Sequence, residues 1–121
     1  MANVLIVDDD EWDLLLDRTI LEKAGHKVYF AEDGQGALDV LRTNRIAVVV
    51  TDLIMPGIDG LALIRRIGET YPHIPVIAAS GVSRDELELA EVLGAASTLP
   101  KPIDPRALVR AVDDALKRSP I

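Results

Sequence analysis

Short, unbroken apolar runs recur along this chain at intervals that leave room for a helix between each pair. Val4-Leu5-Ile6-Val7, Ala47 to Val50 and Val76 to Ala79 are each the length and composition of a strand buried on both faces. Lys27 to Ala31 alternates instead, with Val28 and Phe30 on one face, which suits an edge strand, and Ser97 to Leu99 is a weaker fifth candidate. Helical spacing fills the gaps. Trp12 to Ala24 carries Leu16, Ile20, Leu21 and Ala24 as an apolar stripe and ends at Gly25. Ala37, Leu38 and Leu41 mark a second helix, and Leu61, Ile64 and Ile67 a third. Ser83-Arg84-Asp85-Glu86 is a capping box that starts a fourth, and Gly94 sits where it should stop. Asp104-Pro105 pairs an N-cap with a proline at the first helical position, opening a fifth helix toward Arg118 with Leu108, Ala111, Val112 and Ala115 inward. Five strands alternating with five helices predict an α/β fold, a doubly wound (βα)5 parallel sheet covered on both faces.

Composition narrows the function classes. The 121 residues fit one compact domain, with a core that is mostly aliphatic: Ala, Val, Leu and Ile total 53, against four aromatics. Thirteen basic and twenty acidic residues give a net charge of −7, which disfavours direct nucleic-acid binding. The absence of cysteine excludes disulfides, thiolate nucleophiles and zinc–thiolate sites. The longest apolar run, Ile46 to Val50, is far too short for a membrane span, and Met1-Ala2-Asn3 leads into a strand without a signal-peptide pattern. The expectation is a cytoplasmic protein with no membrane partner. Six of the twenty acids fall within the first 17 residues, where no base occurs.

Open sheets of this kind bind ligands beyond the carboxyl ends of their strands. Asp8, Asp9 and Asp10 follow the first strand, Thr51-Asp52 the third, Ser80-Gly81 the fourth and Lys101-Pro102 the fifth. Carboxylates, a hydroxyl and an ammonium are thereby brought to one edge. Carboxylates within about 4–6 Å of one another repel unless a cation intervenes. Magnesium is suited to them, being a hard ion that takes oxygen ligands and keeps several waters. Such a site would welcome a dianionic phosphoryl group, with Lys101 and Ser80 on its remaining oxygens, and so supports phosphoryl transfer to a carboxylate. Asp10 reads equally as a metal-site residue and as the cap of the first helix.

Over nearly its whole length the sequence resembles the receiver domain of two-component response regulators, the CheY-like family. The matching text is Val4 to Asp10, Thr51-Asp52-Leu53-Ile54-Met55-Pro56-Gly57-Ile58-Asp59-Gly60, Ile77-Ala78-Ala79-Ser80-Gly81 and Leu99-Pro100-Lys101-Pro102. The resemblance implies a flavodoxin-like strand order 2-1-3-4-5 and a receiver domain spanning 1–121 with no output domain in the chain. It implies that Asp52 accepts a phosphoryl group from a sensor histidine kinase or histidine phosphotransfer protein. Asp9, Asp52 and the backbone carbonyl of Ile54 would ligate magnesium, with manganese as a substitute, and Asp8 would act mostly through a metal-bound water. Ser80 and Lys101 would contact the phosphoryl oxygens, and the Lys101–Pro102 bond would be cis. Output would run through a downstream protein partner, on the face of the fourth helix, fifth strand and fifth helix, or through an effector domain outside this chain.

Departures from the family pattern carry their own expectations. Thr98 stands where the family usually has Tyr or Phe, which puts the coupling of Ser80 to an inward-turning aromatic in doubt and shifts output toward the 80–84 loop. Ala95-Ala96-Ser97 lacks the acids that support a common dimer face. Ile54 and Val82 flank the site with apolar side chains that cannot orient an attacking water, so hydrolysis should be slow. Two other readings stay open. One is a magnesium-dependent aspartyl phosphatase using Asp8-x-Asp10 as nucleophile and acid, although a further motif pair and a cap domain are lacking. The other is an interaction domain not switched by phosphorylation. His26 and His73 read as surface histidines, Asp13 and Asp17 as surface acids, and Trp12 either as a packing residue or as a neighbour of the metal site.

Overall fold

A computed structural model describes residues 2–53, 60–81 and 84–118. Strands β1 (Asn3–Val7), β2 (Lys27–Ala31), β3 (Val48–Asp52), β4 (Val76–Ser80) and β5 (Ser97–Pro100) alternate with helices α1 (Glu11–Lys23), α2 (Gly34–Thr43), α3 (Gly60–Thr70), α4 (Arg84–Val92) and α5 (Pro105–Arg118). All strand pairs are parallel, in the order β2-β1-β3-β4-β5, the flavodoxin-like arrangement. β2 is an edge strand, as its alternating sequence predicts.

Successive side chains of a strand point to opposite faces, so each central strand feeds two cores. Leu5, Val7, Val49, Val76 and Ala78 pack with Ala37, Leu41, Leu63, Ile67 and Ala90 from α2, α3 and α4. Val4, Ile6, Val48, Val50 and Ile77 pack with Leu21 of α1 and Leu108, Val112 and Ala115 of α5. Burial on both faces is what the continuous apolar runs required.

Helix boundaries follow local chemistry. The Asp10 carboxylate accepts from the N–H groups of Trp12 and Asp13 and caps α1. Asp33 accepts from Gly36 at 2.7 Å and caps α2, and Asp104 accepts from Arg106 ahead of Pro105. Gly25 and Gly94 follow α1 and α4 with φ of 96° and 120°, the left-handed region that glycine enters without a Cβ penalty. The capping residue Ser83 lies outside the described residues, as does the loop at Met55-Pro56-Gly57 and Asp59.

Two details, one in a strand and one in a helix, differ from the sequence reading. β3 runs two residues beyond Val50, taking in Thr51 and Asp52. The buried face of α1 holds Asp17 and Leu21, with Leu14 partly buried, while Leu16 is exposed and Ala24 also faces solvent. The inward stripe is therefore 14-17-21, a proper helical spacing hidden by the charge of its central member.

Candidate functional site

Strand register assembles the site. Val7 pairs with Thr51, so Asp8 and Asp52 stand side by side one residue further on. Asp52 pairs with Ala79, and Ser80 with Pro100, which sets Ser80 and Lys101 on the same rim. The Lys101 N–H donates to the Ser80 carbonyl at 2.9 Å, and the Lys101–Pro102 peptide is cis, as the resemblance implied. Gly60 closes the other side. Its N–H donates to the Leu53 carbonyl at 3.0 Å, and a Cβ there would overlap the backbone of Asp52 and Leu53.

One carboxylate oxygen from each of Asp8, Asp9 and Asp52 lies within 4.8 Å of the others. Asp8 is buried, Asp52 half-buried and Asp9 exposed, so the cluster opens to solvent through Asp9. Lys101 Nζ lies 2.7 Å from Asp8 Oδ2 and 3.4 Å from Asp52 Oδ2. Asp8 Oδ1 accepts the Asp10 N–H at 3.0 Å. Burial pushes the Asp8 carboxyl above its ordinary pKa, although the bonds from Lys101 and Asp10 and the Lys101 charge pull it back. Burial also disfavours the Lys101 ammonium, but hydrogen bonds to Asp8 and Asp13 outweigh it and hold the pKa above the usual lysine range. Lys101 is thus a fixed positive charge at neutral pH. Three hard oxygen donors converging from β1 and β3 form a set that suits magnesium.

The described residues among those singled out from sequence, Asp8, Asp9, Asp52, Ser80 and Lys101, meet on this edge. Ser80 is buried at the end of β4. Ile54 and Val82 lie outside the described residues. Thr98 sits on β5, away from the carboxylates, and its hydroxyl donates to Glu91 Oε1 of α4 at 3.3 Å. Asp10 is a helix cap.

Several residues behave differently from expectation. Asp13 is no idle surface acid: its Oδ2 accepts from Lys101 Nζ at 2.9 Å. Asp17 is buried, and its carboxyl is pushed up to about 6, first by burial and then by the charge of Asp8. The i, i+4 spacing of these two acids is visible in the sequence and would have placed both beside the inward face of α1. His26 is also buried: Nδ1 accepts the Ala2 N–H at 3.2 Å and Nε2 lies 3.7 Å from Asp113 Oδ1, joining the chain start to α5. His73 is exposed as expected, and Trp12 is 79% exposed rather than packed.

Comparison with known proteins agrees with this architecture. The family model described as the response regulator receiver domain matches residues 4–113. The transcriptional regulatory protein GlrR of Escherichia coli K12 is 38% identical over 120 residues, covering 98% of this chain and 27% of that protein. The DNA-binding transcriptional regulator NtrC of Klebsiella pneumoniae is 40% identical over 115 residues, covering 92% of this chain and 24% of that one. This chain thus spans about a quarter of the length of either relative. Among solved structures, a response regulator receiver domain protein from Clostridium thermocellum superimposes with a TM-score of 0.91 at 32% identity, covering 98% of this chain and 96% of that one. Among the described residues no helix is long and apolar enough to cross a membrane. Motifs, strand order and match together place the chain in the response regulator receiver domain family of two-component systems.

Proposed function

We propose that this receiver domain is a phosphoacceptor whose acceptor is Asp52. The observation that carries the reading is the convergence of the Asp8, Asp9 and Asp52 carboxylates within 4.8 Å, with Lys101 Nζ bridging Asp8 and Asp52. An Asp52 oxygen attacks the phosphorus of a phosphohistidine on a sensor kinase or phosphotransfer protein. The P–O bond forms, the P–N bond breaks, and the leaving imidazole keeps the electron pair and takes up a proton, leaving an acyl phosphate on Asp52. Catalysis of this kind is mostly positioning and charge stabilisation. Asp8, Asp9, Asp52 and the Ile54 carbonyl would hold magnesium, which offsets their mutual repulsion and the charge of the incoming phosphoryl group. Lys101 and Ser80 bind phosphoryl oxygens from the β4 and β5 ends.

The domain spans 1–121 in this reading and acts as a cytoplasmic switch rather than as an enzyme on a separate substrate. With Thr98 tied to Glu91 and no aromatic ring at that position, the response leaves through the segment after Ser80 toward a protein partner or an effector domain. Ile54 and Val82 offer no hydrogen bond to an attacking water, so the phosphorylated form is long-lived.

Acetyl phosphate with magnesium should add one phosphoryl group to the intact protein, read by mass, and the adduct should decay slowly. Asp52→Asn should abolish it. Release of phosphate without an adduct would instead indicate a phosphatase, and no reaction an interaction domain that phosphorylation does not switch.

A further inference from the structure

Lys101 has three N–H donors, and carboxylates from three elements stand around them. Asp8 follows β1 at 2.7 Å, Asp13 belongs to α1 at 2.9 Å, and Asp52 ends β3 at 3.4 Å. Two of these acids belong to the carboxylate cluster that suits a cation; Asp13 does not. It lines, together with Leu16, Asp17, Lys101, Pro102 and Ile103, a separate cavity of about 340 Å³. Asp17 is buried on that wall, and its carboxylate has no hydrogen bond or ion pair among the described residues. Lys101 therefore stands between two acidic surroundings, one at the cluster and one on α1.

We propose that Asp13 is a positioning residue for Lys101, an acid that holds the ammonium in competition with the phosphoryl group. The inference rests on Asp52 being the phosphoacceptor. A cation in the cluster would draw on the charge of Asp8 and Asp52, whereas Asp13, outside the cluster, would keep its full charge for Lys101. Its negative charge then acts in two directions. It offsets the ammonium, which reduces repulsion between Lys101 and the cation. It also weakens the pull of Lys101 on a phosphoryl oxygen, because one N–H stays engaged and part of the charge is neutralised. Removing the charge should therefore move two affinities in opposite senses.

The test uses the full chain, with magnesium titrated by calorimetry in the absence of any phosphodonor, then beryllofluoride as a phosphoryl mimic at saturating magnesium. Asp13→Asn should weaken magnesium binding about two- to fivefold and tighten beryllofluoride binding by a similar factor, the scale of a partly exposed ion pair. Asp13→Glu should return both constants toward the parent values. Asp13→Ala, which removes the charge with a better helix former, should reproduce the split if the amide disturbs α1. A scaffolding role would weaken both constants together, and that result, or no change in either, overturns the proposal while leaving the phosphoacceptor reading intact. Failure of the parent protein to bind beryllofluoride overturns the phosphoacceptor reading and this inference with it.

Discussion

Asp17 occupies a position in α1 where an aliphatic side chain would meet the core, and the cost appears in its titration. Its carboxyl is pushed up to about 6 by burial and by Asp8, with Lys101 pulling the other way. The unfolded chain returns it toward 3.8. Between those values the folded protein holds a proton that the unfolded chain has lost, so stability falls as pH rises through the window and levels off above it. Asp17→Asn should remove this contribution and stabilise the protein at pH 7 by roughly 1–3 kcal/mol, with the advantage vanishing near pH 4. Urea unfolding of both proteins across that range measures it. A variant no more stable than the parent at pH 7 would mean that the carboxylate gains compensation from Lys101 that outweighs its desolvation.

α3 illustrates how an element positions Asp52. Its first residue, Gly60, presses against the end of β3 so closely that any Cβ would overlap the backbone of Asp52 and Leu53. Gly68, in the last turn of the same helix, has nothing within 4 Å of its Cβ position. Gly60→Ala should destabilise by roughly 1–3 kcal/mol through this overlap, whereas Gly68→Ala should stabilise by about 0.5–1 kcal/mol through backbone entropy alone. Thermal unfolding of the pair checks both signs. What could be read in advance divides along the same line. Continuous apolar runs point to β1, β3 and β4 because both faces of these strands are buried, and the acids at the ends of β1 and β3 point to the site because parallel pairing aligns strand ends. α1 was harder. Its buried stripe passes through Asp17, so an apolar pattern searched for among Leu, Ile and Ala settled on Leu16, one position off the inward face. The Asp13–Lys101 bond joins residues at opposite ends of the chain, and only the packing of α1 beside α5 brings the turn after β5 to α1. Asp59-Gly60 reads in sequence as a tight loop in which glycine permits positive φ, whereas Gly60 is not among the glycines of positive φ and is required by the approach of β3.

For the whole molecule, the net charge of −7 is unevenly spent, with Asp8, Asp9, Asp10, Glu11 and Asp13 gathered where β1 meets α1 and Asp52 added from β3. One lysine, Lys101, faces Asp8, Asp13 and Asp52 at once. Monovalent salt relieves such repulsion only by screening, which takes full hold beyond a Debye length of about 8–10 Å and so acts weakly on carboxylates this close together. A divalent ion bound between the carboxylates acts at one place and only in the folded state, where strand register has brought them together. It therefore adds stability by mass action, about 2.7 kcal/mol at a concentration one hundred times its Kd. Magnesium chloride should accordingly raise the unfolding midpoint more than sodium chloride at equal ionic strength. Asp9→Asn removes the exposed carboxylate of the cluster without opening the core, so it should erase the difference between the salts while leaving the sodium chloride curve nearly unchanged. Equal midpoints for the parent protein in the two salts would reduce the cluster to ordinary surface acids, and a magnesium gain that survives Asp9→Asn would move the ion to other ligands.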